Sequence, residues 1–131
     1  MVALDAETGR ELWAFDPRAY ETGMTGASPG GYKHRGVAVH GEGDDMRVFI
    51  NSRASLYALD AKTGALIPEF GAAGRVALDE GFPNEVNHDS FDQTSPPVVF
   101  EARVIGGSRG AARHPPRLGS PGAGPRVDGA A

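Results

Sequence analysis

The chain has 131 residues, no cysteine and a formal net charge of −4, as expected for one small soluble domain or part of a larger one. The acidic balance argues against a nucleic-acid partner, because phosphates are neutralised by clustered basic side chains. Without cysteine, disulfides and thiolate metal sites are excluded. No signal-peptide pattern follows Met1, and no apolar run approaches the ~20 residues of a membrane span. We therefore expect neither a signal peptide nor a membrane span in this chain.

A seven-residue pattern, Ala-Leu-Asp-Ala-x-Thr-Gly, occurs at residues 3–9 and again at residues 58–64. β-type residues precede each copy, and Asp-x-x-Thr-Gly is typical of a tight turn that ends with Gly in the left-handed conformation. Each copy therefore predicts a strand, a turn and a returning strand. The shift from Ala3 to Ala58 is 55 residues, which suits a repeated β-sheet unit such as a propeller blade.

The sequence between and after the two copies also reads as β-structure. Short β-type runs lie at residues 36–40 and 47–51 and make four strands per repeat, and another pair follows at residues 97–100 and 104–105. Glycines and prolines interrupt the sequence too often for an apolar repeat with a period near 3.6 residues, so no long helix is expected. The fold class predicted is all-β, a fragment of a β-propeller.

Four parts are predicted along the chain: a closing hairpin plus loop (1–35), a complete blade (36–70), a loop with the opening strands of the next blade (71–108) and a disordered tail (109–131). The tail is rich in Gly, Pro, Ala and Arg and lacks the residues of a core. Two interpretations stay open, a natural flexible tail or a reading frame that shifts near residues 102–110. In either case no function is expected there.

A family resemblance emerges when the first copy is followed to Trp13, which completes Ala-x-Asp-x-x-Thr-Gly-x-x-x-Trp. This pattern resembles the tryptophan docking motif of the pyrroloquinoline quinone (PQQ) dependent dehydrogenases, whose propeller blades have four antiparallel strands. The indole is expected to wedge between blades, a packing role that suits its large area. Three more segments resemble the family in the same order: Arg-Gly-Val-Ala (35–38), Phe-Gly-Ala-Ala-Gly-Arg-Val (70–76) and Thr-Ser-Pro-Pro-Val-Val (94–99). The resemblance covers residues 1–108, is to the membrane-type glucose-dehydrogenase-like branch, and implies a partial chain.

The resemblance implies two contacts to PQQ. Arg35 matches an arginine that pairs with the carboxylates of the quinone, for which a guanidinium fork is a natural partner. Thr94 matches a threonine whose hydroxyl reaches the same carboxylate region. The alternatives are a solvated arginine at a strand edge and an ordinary threonine at a strand start. Adjacent cysteines, present a few residues before the arginine in several alcohol-oxidising members, are absent from residues 31–34, which favours the sugar-oxidising branch.

The function implied is oxidation of a glucose-like sugar or an alcohol at a CH–OH group, with a quinone or cytochrome as electron acceptor. In the intact family a carboxylate acts as general base and Ca²⁺ polarises the quinone. That base and most calcium ligands lie on later blades, so no catalytic residue, no metal ligand and no activity are expected in this chain alone. The intact family is periplasmic or associated with the inner membrane.

The rival hypothesis is a non-enzymatic propeller scaffold, such as the outer-membrane assembly lipoproteins, which share the docking repeat but bind no quinone. The repeat cannot separate the two classes. The segments at residues 35–38 and 94–99 favour the dehydrogenase.

Overall fold

The computed structural model describes residues 1–22, 34–80, 91 and 93–107. Within these residues the strands are β1 (Val2–Leu4), β2 (Glu11–Ala14), β3 (Ala38–His40), β4 (Arg47–Ser52), β5 (Ser55–Asp60), β6 (Arg75–Ala77), β7 (Val98–Phe100) and β8 (Arg103–Ile105). Two short 3-10 turns cover Ala19–Thr22 and Gly43–Asp45. In the described part of the chain, no helix has the length and hydropathy to cross a membrane. The predicted all-β class is confirmed.

The strands form one four-stranded antiparallel sheet, in the order β3-β4-β5-β6, and two separate hairpins, β1–β2 and β7–β8. Each strand of the sheet pairs with its neighbour in sequence, so the chain runs up and down without a crossover. This is the blade type that the sequence predicts.

The two copies of the repeat form the same turn. The Asp60 carboxylate accepts hydrogen bonds from the Thr63 hydroxyl and the Thr63 N–H, both at 2.8 Å. Asp5 accepts from the Thr8 hydroxyl at 2.7 Å and from the Thr8 N–H at 2.8 Å in the first copy. The glycines that close the turns have φ of 70° and 71°, a conformation that only glycine adopts at little cost. The predicted Asp-x-x-Thr-Gly turn is confirmed in both copies.

The strand that returns after the second turn differs from the sequence-based expectation. Only an isolated bridge joins Leu66 to Leu59, and the chain then leaves the sheet before β6 pairs with the first half of β5. Pro68 has no N–H to donate to a ladder, which disfavours an unbroken strand there. Phe70, fully buried, directs the loop into the core. The fourth strand therefore lies beyond residue 70, where the blade was predicted to end.

The two faces of the sheet are covered by different hairpins, because alternate side chains of a strand point to opposite faces. On the first face, Phe49, Leu56 and Ala58 form a core with Phe70 and with Val104 of the β7–β8 hairpin. β4 is buried on both faces, which explains its continuous apolar run.

The second face carries Val48, Ile50 and Leu59, which pack against Trp13 and Phe15 at the end of the β1–β2 hairpin. The sheet is thus sandwiched between the preceding hairpin and the following one, as successive blades of a propeller would be.

Trp13 docks the first hairpin onto the second turn of the repeat. Its indole Nε1–H donates to the carbonyl oxygen of Ala61 at 3.0 Å. The ring lies directly over Gly64, where an added methyl group would come within 2.5 Å of ring atom Cε3. The packing role predicted for this tryptophan is confirmed.

The turn hydrogen bonds give a testable pH dependence. The hydroxyl and N–H of Thr63 lower the pKa of Asp60 below its ordinary value, because both stabilise the charged carboxylate. A lowered pKa means that the turn gains stability above the unfolded-state pKa and loses it as the pH falls through the folded-state value. We expect Thr63→Val to raise the pKa of Asp60, and Thr63→Ser to preserve it. Carbon-13 NMR titration of the carboxyl measures both, and an unchanged pKa in Thr63→Val would contradict the assignment.

Candidate functional site

The candidate site lies where β3 and β7 come together. β3 is an edge strand of the sheet and contacts β7, the first strand of the next hairpin. Arg35 and Thr94 are on the segments that lead into these two strands. A methyl group added at Gly36 would lie 3.3 Å from Cβ of Pro96, so the two segments touch. The structure therefore brings together the segments that carry the two predicted cofactor contacts.

Both predicted contacts carry polar groups that bind no described residue. Arg35 is exposed, and within the described part of the chain its guanidinium has neither a hydrogen bond nor an ion pair. Thr94 is half-buried, and its hydroxyl likewise forms no hydrogen bond with any described residue. A cation and a hydroxyl on two touching segments form a donor set that suits the carboxylates of an anion.

Asn51, at the end of β4, connects the sheet to the Thr94 segment. Its side chain is 2% exposed. Its Nδ2 donates to the carbonyl oxygens of Gln93 and Ser95, each at 2.9 Å. The carbonyls on both sides of Thr94 are thus held by one buried amide. Sequence reasoning missed Asn51, although an asparagine that ends an apolar strand is a signal, because a buried amide requires partners.

Oε1 of Gln93 and Oγ of Ser52 are buried near this end of the sheet and have no hydrogen-bond partner among the described residues. Gln93 is 5% exposed, and its Oε1 lies 3.3 Å from where a methyl group on Gly106 would stand. Ser52 belongs to the opposite face of the sheet from Asn51, by the alternation of side chains. Buried polar atoms without a partner are uncommon in folded proteins, so the Gln93 amide oxygen, next to Thr94 in the chain, is a further polar atom at the candidate site.

Groups of three or more His, Asp or Glu side chains that could hold a metal ion do not occur within residues 1–22, 34–80 and 93–107. The predicted tail at 109–131 and positions 31–33, where the adjacent cysteines are absent, lie outside the described residues.

The comparisons with known proteins show which family the chain resembles. The family model described as PQQ: glucose/ethanol/alcohol dehydrogenase, beta-propeller domain matches residues 1–123. A probable quinate dehydrogenase (quinone) of Xanthomonas campestris pv. juglandis is 34% identical over 127 residues, which cover 82% of this chain and 16% of the relative. The 1-butanol dehydrogenase (cytochrome c) of Thauera butanivorans is 32% identical over 111 residues, which cover 83% of this chain and 14% of that protein. No solved structure matches. The chain thus spans less than one fifth of the length of these curated relatives.

Proposed function

Since this chain belongs to the PQQ-dependent glucose/ethanol/alcohol dehydrogenase β-propeller family, we propose that it is part of a quinoprotein dehydrogenase in which Arg35 and Thr94 contact PQQ. One observation carries the proposal. A guanidinium and a hydroxyl, neither of them bonded to any described residue, lie on two segments, far apart in sequence, that touch at Gly36 and Pro96.

The roles of the two residues follow from their chemistry. The guanidinium of Arg35 would hold one carboxylate of the cofactor, since its paired N–H donors match a carboxylate and orient a planar ligand. The hydroxyl of Thr94 donates to a second carboxylate oxygen. When bound, PQQ supplies the two-electron oxidation of a CH–OH group. The proposal includes Ca²⁺ as in the intact family and assigns neither its ligands nor the general base to any described residue.

The substrate class proposed is a compound with an oxidisable CH–OH group, either an alcohol or a glucose-like sugar. The two relatives support this breadth, since one is named for quinate with a quinone and the other for 1-butanol with cytochrome c. A quinone or cytochrome acceptor and a periplasmic or inner-membrane-associated location are part of the same proposal. The family match also favours an enzyme over the scaffold hypothesis.

The experiment that tests this function is a titration of the nitrogen-15-labelled chain with PQQ and Ca²⁺. The proposal gives the described part of the chain two contacts to the ligand, while the full entropic cost of association remains. We therefore expect binding no tighter than about millimolar, or about 4 kcal/mol. Amide signals of residues 34–36 and 93–95 should shift, and those of residues 60–64 should not. Shifts spread evenly over the chain, or none, would contradict the proposal. We expect no dye reduction by this chain alone with glucose or ethanol.

A further inference from the structure

We infer that Asn51 is a positioning residue that sets the orientation of Thr94 toward the cofactor. It does so by holding the carbonyl groups on both sides of that threonine. The inference rests on the proposed function, because it specifies how one of the two proposed contacts is presented.

The geometry of the hydrogen bonds carries the first step. The Gln93 carbonyl belongs to the planar peptide group that also contains the Thr94 nitrogen, so fixing that oxygen fixes one end of Thr94. The Ser95 carbonyl belongs to the next peptide group but one, between Ser95 and Pro96, and its hydrogen bond holds the chain just after Thr94. Both oxygens accept from the same Nδ2 at 2.9 Å, across sequence separations of 42 and 44 residues. The position of Thr94 relative to β4 is therefore determined by one side chain.

The surroundings of Asn51 carry the second step. Asn51 pairs with Leu56 across the β4–β5 ladder and shares its face with Phe49 and Ala58, which are all apolar and buried. An apolar side chain at position 51 would therefore pack as well against these neighbours as the amide does. The amide adds two directed donors, and its loss would leave two carbonyls without a partner. Because β4 is buried on both faces, these donors come from a well-fixed part of the sheet.

Arg35 supplies an internal reference. No hydrogen bond from Asn51 reaches Arg35 or Gly36, whereas both bonds flank Thr94. Loss of the Asn51 donors should therefore change the contribution of Thr94 more than that of Arg35. A general loss of structure would reduce both equally.

The test uses the full 131-residue chain and PQQ as the probe, with amide shifts followed at Thr94 and Gly36. Asn51→Asp keeps the side-chain shape but has no donor while ionised. We expect the PQQ-induced shift at Thr94 to fall by at least ~3-fold at neutral pH, and that at Gly36 to change by less than ~1.5-fold. Burial raises the pKa of the introduced carboxyl, and its protonated form donates one hydrogen bond. The Thr94 shift, relative to the original chain at the same pH, should partly recover in mild acid.

Ser52→Ala is the matched control, because it removes a buried hydroxyl next to Asn51 that has no partner among the described residues. It should leave the Thr94 shift unchanged. The indole N–H signal of Trp13 reports that each variant is folded, because Trp13 packs on the face of the sheet opposite to Asn51. If Asn51→Asp loses that signal, Asn51→Thr replaces it, since Thr suits a strand and keeps one donor, and its Thr94 shift should be intermediate.

Three results would overturn the inference. The first is a Thr94 shift of original size in a folded Asn51 variant, and the second is an equal loss at Thr94 and Gly36. The third is an absence of shifts at both positions in the original chain, which would overturn the proposed function as well and so is distinguishable from the other two.

Discussion

Gly64→Ala is expected to release the β1–β2 hairpin from the central sheet, whereas Gly9→Ala should leave the hairpin docked. The two glycines occupy the same turn position with nearly equal φ, so a new side chain causes the same backbone strain, about 1–2 kcal/mol, at each. Their surroundings differ. An added methyl at Gly64 would come within 2.5 Å of the Trp13 ring, while one at Gly9 meets nothing within 4 Å. Overpacking of this kind costs about 1–3 kcal/mol beyond the strain.

Urea unfolding followed by Trp13 fluorescence measures both variants against the original chain. The docked indole should move toward solvent in Gly64→Ala, with emission shifted to longer wavelength, and keep its position in Gly9→Ala. Equal loss of stability in the two variants, with unchanged emission, would contradict this account. It would show that Trp13 can dock when residue 64 carries a side chain.

Phe70→Ala is expected to lower the free energy of unfolding by about 3–5 kcal/mol, the usual cost of removing a buried phenylalanine ring. Phe70 is fully buried, and its ring meets that of Phe49 edge to face, with centroids 5.5 Å apart. The same ring directs the loop that leads to β6. Its loss should therefore also weaken the pairing of the fourth strand.

Phe100→Ala is the matched control, since Phe100 is 63% exposed in this chain. Its removal should cost less than about 1 kcal/mol. Hydrogen exchange of the Val76 amide, in β6, reports the fourth strand separately from global unfolding. Similar destabilisation by both substitutions, or an unprotected Val76 amide in the original chain, would contradict the packing described.

The parts of the fold that were predictable are those whose causes are local. The Asp-x-x-Thr-Gly turn contains its own acceptor, donors and glycine, so both copies can be identified from a few residues. The fourth strand depends on tertiary packing instead. Its position at Arg75–Ala77 follows from the burial of Phe70, which the pattern of the repeat does not indicate.

The candidate site shows the same division. Arg35 and Thr94 were identified through resemblance to the family, and their roles remain proposals. The contact of their segments at Gly36 and Pro96 joins distant parts of the sequence, so it cannot be predicted from the spacing of residues. Asn51 was missed because its partners lie 42 and 44 residues further along the chain. Only the presence of an amide at the end of a buried strand pointed to such partners.

The PQQ affinity of Arg35→Ala tests most directly whether this chain contributes a cofactor contact. A hydrogen bond to a charged group contributes about 1.5–3 kcal/mol, so we expect the PQQ affinity to fall by at least ~10-fold. The amide shifts at residues 93–95 should disappear at PQQ concentrations that produce them in the original chain. Arg10→Ala removes the same charge from an exposed arginine in the first turn and should leave the affinity unchanged. Equal affinities of Arg35→Ala and the original chain would exclude Arg35 from the site. The similarity of this chain to PQQ-dependent dehydrogenases would then extend to the fold but not to this cofactor contact.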